Sequence, residues 1–278
     1  MKCFDVVQTV LDETYKEVPD AAEGRDNAIK NAIANTAEQY RARLMTEGGP
    51  DFSDPATRFA YVYRYVPAHS HWLYESLRDC PEAMNVLKSG KARITCIGGG
   101  PGSDVVGVLK LLDEKKIECQ LFCELIDGCV EWKTTWSDLA FLLDWKDALH
   151  TDYVIHEIGD AESCDSPSKI SKADIVTLSF FVSEIYHLED AEKYLTKMLG
   201  ATKKGAIVLM NDNRTSDVYE LMDRVAKKCR FKTLDTGEGT RKIYDGGEKL
   251  AALEVYKEKF GTASRLTGSL CWRIYQKQ

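Results

Sequence analysis

Apolar positions in the first ninety residues recur at three- and four-residue intervals. Val6, Val7, Val10 and Leu11 share one helical stripe, and Ala32, Ile33, Ala37 and Tyr40 share another. Gly48, Gly49 and Pro50 interrupt the pattern. A new helix is predicted after them, with Asp54 as its cap and Pro55 at its first position. The stretch AYVYRYVPAHSHWLYESL is dense in aromatics, and Pro67 within it is expected to bend or end the helix.

From Lys91 the period changes to short apolar runs separated by amphipathic stretches. Strands are predicted over Arg93–Ile97, Glu118–Cys123, Tyr153–Ile158, Ile175–Ser179, Ala206–Asn211, Phe231–Thr236 and Ser269–Gln276. Helices fit between most of them, over Asp104–Glu114, Val130–Leu143, Ala191–Leu199 and Ser216–Cys229. Such alternation implies an α/β fold with a parallel sheet covered on both faces. A long connection, Gly237 to Gly268, precedes the last strand. The expected organisation is a helical N-terminal extension over 1–90 and an α/β domain over 91–278.

Composition narrows the class. The chain has 278 residues, 44% apolar and 29% charged, which describes a soluble globular protein with a sizeable core. No apolar run reaches the roughly 18 residues of a membrane span. The N-terminal MKCFDVVQTVLDETYKEV carries acids where a secretory leader has its apolar centre, so a cytoplasmic location without membrane attachment is expected. Nine cysteines, an odd number, show neither zinc-ribbon nor redox spacing. Cys96, Cys119 and Cys123 read as small buried hydrophobes. His69 and His71, two apart, would not share a helical face, and no metal is expected. The net charge of −7 disfavours phosphate-rich partners. The one basic stretch, RVAKKCRFK with Lys227, Lys228, Arg230 and Lys232, reads best as a solvated helix end.

The candidate chemistry begins in ARITCIGGGPGSDVVGVLKLL, where glycines follow the first predicted strand at once. In an open parallel sheet, ligands sit at the carboxyl ends of the strands. The dinucleotide spacing G-x-G-x-x-G fails in both registers, since Ser103 and Val105 stand where the third glycine belongs. The spacing G-x-G-x-G fits, at Gly98, Gly100 and Gly102, with Gly99 between the first two. Without Cβ atoms, such a backbone can approach a ligand closely.

This spacing resembles motif I of the class I S-adenosylmethionine-dependent methyltransferases. Further stretches extend the resemblance from Lys91 to the C-terminus. QLFCELID supplies Glu124, beside Leu125, where the family has an acid for the ribose hydroxyls. VIHEIGDAES supplies Asp160 and Ala161 where the family contacts adenine. YLTKMLGATKKGAIVLMNDN is similar to the family's helix, glycine turn and fifth strand. The resemblance implies a Rossmann-like seven-stranded sheet with its last strand antiparallel, and S-adenosylmethionine as cofactor. One departure is plain: many members have an acid two residues before the first glycine, and here that residue is Cys96. The methionine ammonium must then find carbonyls near Gly98 or Ser179, or another acid.

In-line methyl transfer asks the protein mainly to align and desolvate the reactants. A base is needed only where the acceptor proton must leave early. SFFVSEIYHLED, after the fourth strand, should line the mouth beside the methyl group. Phe180 and Phe181 are candidate walls, and Glu184, Tyr186 and His187 are the nearest polar groups, with Asp212 from the fifth strand a further candidate. Glu184 also reads as a residue capping or preceding the next helix. The family's N-P-P-Y-type motif is absent. Tyr61, Tyr63, Arg64 and Tyr65 are expected on a lid over the site, with Arg64 placed to pair the methionine carboxylate. The acidic chain and its extension favour a small-molecule acceptor. A base in ribosomal or transfer RNA is the second reading, and a non-catalytic S-adenosylmethionine-binding sensor the third.

Overall fold

The computed structural model describes residues 2–19, 21–42, 49–142, 148–156, 167–243, 248 and 250–278. Four helices come first: α1 Cys3–Glu17, α2 Ala22–Ala42, α3 Pro55–Arg78 and α4 Pro81–Lys88. The α/β part then runs β1 Lys91–Ile97, α5 Ser103–Lys115, β2 Gln120–Asp127, α6 Trp132–Leu142, β3 Leu149–Ile155, α7 Pro167–Ile170, β4 Ile175–Ser179, α8 Val182–Ile185 and α9 Ala191–Gly200. It ends with β5 Ile207–Asn213, α10 Ser216–Lys228, β6 Phe231–Lys242, α11 Ala251–Phe260 and β7 Thr267–Lys277. The strands form one seven-stranded sheet in the order β3-β2-β1-β4-β5-β7-β6. β1 to β5 are mutually parallel, and β7 lies antiparallel between β5 and β6.

Alternation along the strands sorts the core into two layers. Ala92, Ile94 and Cys96 of β1, with Ile207 and Leu209 of β5, face the N-terminal helices and α5. Val208 and Met210 of β5, with Val176 and Leu178 of β4, face α9 and α10. Both faces are therefore covered, as a parallel sheet requires. The first ninety residues share the first of these cores, with Phe4, Leu11, Phe59 and Leu73 packed in it.

Three strand boundaries move by four residues or more, one of them the end of β6, which runs to Lys242 and not to Thr236. β2 runs to Asp127, four residues past its expected end at Cys123, because Leu125 and Ile126 continue the buried run beyond Glu124. β3 begins at Leu149, earlier than Tyr153, and its mostly exposed pattern hides a strand on the sheet's edge. The predicted end of β3 beyond His156 and of α6 at Leu143 lies outside the described residues.

Pro67 does not end α3, which runs unbroken from Pro55 to Arg78. A proline inside a helix cannot donate to the carbonyl four residues back. Here that carbonyl, of Tyr63, accepts from the Ser264 hydroxyl at 2.7 Å, and the next one, of Arg64, accepts from the Arg265 backbone N–H at 2.8 Å. The segment before β7 thus replaces the hydrogen bond that Pro67 removes and is docked on α3.

Candidate functional site

The glycine loop closes directly on the end of β2. The Gly98 and Gly99 N–H groups both donate to the Ile126 carbonyl, at 2.8 and 3.2 Å. Gly98, Gly100 and Gly102 all take positive φ. A Cβ on Gly98 would lie 2.2 Å from the Phe181 ring, and one on Gly102 would lie 2.1 Å from Trp136. These two positions thus need glycine for both conformation and space.

Above this loop lies a cavity of about 310 Å³. Its floor is Gly98, Gly100 and Pro101, its acidic side is Asp127 and its far wall is Ser179 to Phe181. Asp127 ends β2 and is held by two backbone donors, Gly100 N–H at 2.8 Å and Cys129 N–H at 3.0 Å. Burial pushes its carboxyl upward, and these backbone bonds oppose the shift. The N-terminal helices supply the roof. Phe52 packs on Trp132 with centroids 4.9 Å apart, and Tyr61 packs on both rings. Among the described residues no lysine or arginine lines this cavity. Burial raises Tyr61 most, followed by Tyr65 and the carboxyls of Asp127, Asp104 and Asp212.

A second cavity, of about 490 Å³, adjoins it over the ends of β4, β5 and β7. Tyr40, Tyr61, Phe180 and Glu184 line both. Phe180 follows β4 with φ of 56°, a costly conformation for a bulky residue. It is held by its N–H donating to the Asn211 carbonyl at 2.7 Å and by the His69 ring stacked on it at 3.7 Å and 9°. Burial pulls His69 down to about 3, so that ring is neutral near pH 7. In contrast to the first cavity, the second is lined by Arg64, Arg214 and Arg265.

The sequence-based candidates fall unevenly on this geometry. Gly98, Gly100, Ser179 and Phe180 line the first cavity, with Glu184 at the junction and Tyr186 in the second. Gly99 and Gly102 shape the loop without lining either cavity. Glu124 lies three residues short of the strand end and faces Lys169 at 3.5 Å. Leu125 is core. Neither lines a cavity, and Asp127 and Gly128 stand at the position expected of them. Arg64 lines the second cavity, away from the glycine loop. Tyr63, two residues from Tyr61 and Tyr65, turns to the opposite side, where its hydroxyl donates to the Thr262 carbonyl at 2.6 Å. Asp160 and Ala161 lie outside the described residues. His187 lines the first cavity.

Asp212 is fully buried and lines neither cavity; its carboxylate accepts from the Ser183 N–H at 3.0 Å and the Asn213 N–H at 2.7 Å. These bonds tie it to the turn that carries Glu184. Burial pushes it up to about 6. A carboxyl raised above its unfolded value of 3.8 binds its proton better when folded, so its contribution to stability falls as pH rises from about 4 to about 6. Relative to Asp212→Asn, the wild-type protein should gain about 2 kcal/mol between about pH 7 and pH 4.5. Urea unfolding of both proteins at the two pH values measures this, and a constant difference would mean an ordinary carboxyl.

Asp104 was not anticipated. It lies in the first turn of α5, 3% exposed, where its carboxylate accepts from the Thr177 hydroxyl. Its other oxygen, Oδ1, is buried with the Ser179 hydroxyl as its neighbour, and both hydroxyls hold the carboxyl down against burial; Asp104 itself lines neither cavity. Burial raises it, and it in turn raises the Cys96 thiol, so the two are neighbours. The sequence held a signal: Asp104, Val108 and Leu111 share one helical stripe, which puts an acid on a buried face.

Among the described residues no group of three or more His, Cys, Asp or Glu could hold a metal ion, and no helix is long and apolar enough to cross a membrane. No family model matches the chain, and no curated protein matches it. Solved structures do. An O-methyltransferase family protein from Burkholderia thailandensis is 12% identical with a TM-score of 0.56, over 91% of this chain and 72% of that one. An S-adenosylmethionine-dependent methyltransferase from Methanosarcina mazei is 13% identical at 0.47, over 71% and 97%. A precorrin-6y C5,15-methyltransferase from Geobacter metallireducens is 9% identical at 0.44, over 72% and 89%. The chain has the Rossmann-like fold of the class I methyltransferases.

Proposed function

We propose that this chain binds S-adenosylmethionine in the first cavity and transfers its methyl group to a small molecule in the second. The observation that carries this reading is the charge of the first cavity. It presents carboxylates and aromatic rings, with no lysine or arginine among the described residues. The donor carries a sulfonium and an ammonium, which such a lining favours. A pyrophosphate cofactor would meet repulsion there, and Asp127 already occupies the Gly100 N–H that a phosphate would seek.

Asp127 suits the ribose hydroxyls, since a carboxylate at a strand end accepts from both. Asp104 is the acid we assign to the ammonium, in place of the one missing at Cys96; it is buried outside the cavity's lining and next to Ser179, which is part of that lining. The aromatic roof of Phe52, Tyr61 and Trp132 excludes water from the reacting centre. When bound, the cofactor supplies a methyl group on a cationic sulfur that leaves as a neutral thioether. Glu184, shared by both cavities, is the carboxylate positioned to take the acceptor's proton. The structural relatives include methyltransferases named for different acceptors, so the acceptor has to be argued from this chain's own residues.

The RNA reading has little behind it. Lys227 to Lys232 lie at the end of α10 and the start of β6. Phe231 pairs with Lys277 at the sheet edge opposite the strand ends that carry the cavities, and Lys228 is tied to Glu192 at 2.7 Å. Calorimetry should detect S-adenosylmethionine and S-adenosylhomocysteine binding and none of NAD or NADP. Tight NAD binding would sink the methyltransferase reading.

A further inference from the structure

The two cavities differ most in charge, and that difference identifies the acceptor's chemistry. We infer that the acceptor is a small planar molecule with an anionic group, a carboxylate or a phosphate, at the end away from its nucleophile. The inference rests on the methyl-transfer reading and deepens it.

The walls of the second cavity are flat and apolar. Tyr65, His69, Trp72 and Phe180 line it, with Trp72 and Phe180 centroids 5.7 Å apart. His69 contributes a ring face without charge, because burial keeps it neutral. Such surfaces stack on an aromatic ring at small entropic cost. The cavity's charged lining is Glu184, which the donor cavity shares, and three arginines; Ser183, Asn213, Thr215 and Ser269 add neutral polar groups.

Those arginines are not equivalent. Arg214 is neutralised by Glu238 at 3.1 Å. Arg64 and Arg265 make no ion pair with any described carboxylate. Arg64 donates to the Ala263 carbonyl, and its Nε is buried without a partner. Arg265 reaches far enough inward to help lower His69. The two are brought together by backbone, through the Arg265 N–H that donates to the Arg64 carbonyl, and both line this cavity. Neither has a described counter-charge there. A carboxylate or phosphate that enters the cavity can therefore take charge-assisted hydrogen bonds from them. The acceptor's acid therefore sits at these arginines, its ring stacks against Phe180 and Trp72, and its hydroxyl or amine points to Glu184.

The test uses the full chain saturated with S-adenosylhomocysteine. Its thermal shift is read against one- and two-ring aromatic compounds in matched sets: carboxylate, phosphate monoester, neutral amide and amine. The expected hits are carboxylates or phosphates, and the set that responds tells which acid is used. Calorimetry on the best hit should show an affinity at least about tenfold above that of its amide. Arg265→Gln and Arg64→Gln should each erase most of that preference while S-adenosylhomocysteine still binds. A preference for amines or amides, or no discrimination among the four sets, overturns the inference. So does an anion preference that survives both substitutions. An RNA oligonucleotide that displaces the best hit with steep salt dependence would also overturn it, in favour of an RNA acceptor. Loss of S-adenosylhomocysteine binding by the wild-type chain would instead strike the methyltransferase reading itself.

Discussion

Asp127→Ala is expected to lower the affinity for S-adenosylhomocysteine by about a hundredfold, and Glu124→Ala to leave it within about threefold. The two acids lie on one strand three residues apart, so the pair tests where the ribose site begins. Asp127 lines the donor cavity and is fixed by the Gly100 and Cys129 N–H groups. It therefore accepts ribose hydroxyls without first having to be ordered. Two charge-assisted hydrogen bonds contribute about 1.5–3 kcal/mol each, of which a hundredfold loss is a conservative share. Glu124 is mid-strand, beside Lys169, and lines neither cavity. Because Asp127 also holds Gly100, a disordered loop is a second cause of loss in Asp127→Ala. Asp127→Asn separates the two causes: it keeps the bulk and one acceptor, and should reduce the preference for adenosine over 2′,3′-dideoxyadenosine. If Glu124→Ala shows the larger loss, the ribose lies deeper along β2 than the cavity extends.

Asp127 and not Glu124 lines the first cavity, because β2 runs further than its hydropathy suggests. The loop itself was legible, because glycines at Gly98, Gly100 and Gly102 leave few physical alternatives at the end of a buried strand. β4 and β5 were legible from their continuous apolar runs. β2 is interrupted by a charged residue in its middle, and a strand read by hydropathy stops there. What keeps Glu124 in the strand is its ion pair with Lys169 of α7, and that contact is tertiary. The parallel register of β1 and β2, Lys91 with Gln120 through Ile97 with Ile126, fixes the true end. On α3, helical period already separates Tyr61 and Tyr65 from Tyr63, and the structure puts them on different sides accordingly. Arg265 is the opposite case. It comes from a long connection without periodicity, and only the docking of that segment on α3, at the Tyr63 carbonyl that Pro67 leaves open and the Arg64 carbonyl next to it, explains why it lies beside Arg64.

Asp104 leads to the second large effect. Asp104→Asn should weaken S-adenosylhomocysteine binding at least about tenfold and leave 5′-methylthioadenosine binding within about twofold. Cys96 leaves the β1 end without the acid that many class I methyltransferases carry there. Asp104 is the buried acid near that thiol, with one carboxylate oxygen bonded by Thr177 and the other beside the Ser179 hydroxyl. A buried carboxylate held only by neutral hydroxyls gains from a charged donor that arrives with the ligand. The amino-acid tail of S-adenosylhomocysteine brings an ammonium, and 5′-methylthioadenosine lacks that tail. The contrast between the two ligands therefore isolates the ammonium contact from any effect on the loop. An equal loss for both would make Asp104 a support of the glycine loop, and no loss for either would make it a bystander. A pH titration gives an independent check. Burial raises the free Asp104 carboxyl, whereas a bound ammonium favours its ionised form. As pH falls through the raised value, protonation of Asp104 should progressively weaken S-adenosylhomocysteine binding. In Asp104→Asn that dependence should flatten to the profile that 5′-methylthioadenosine shows with the wild-type chain.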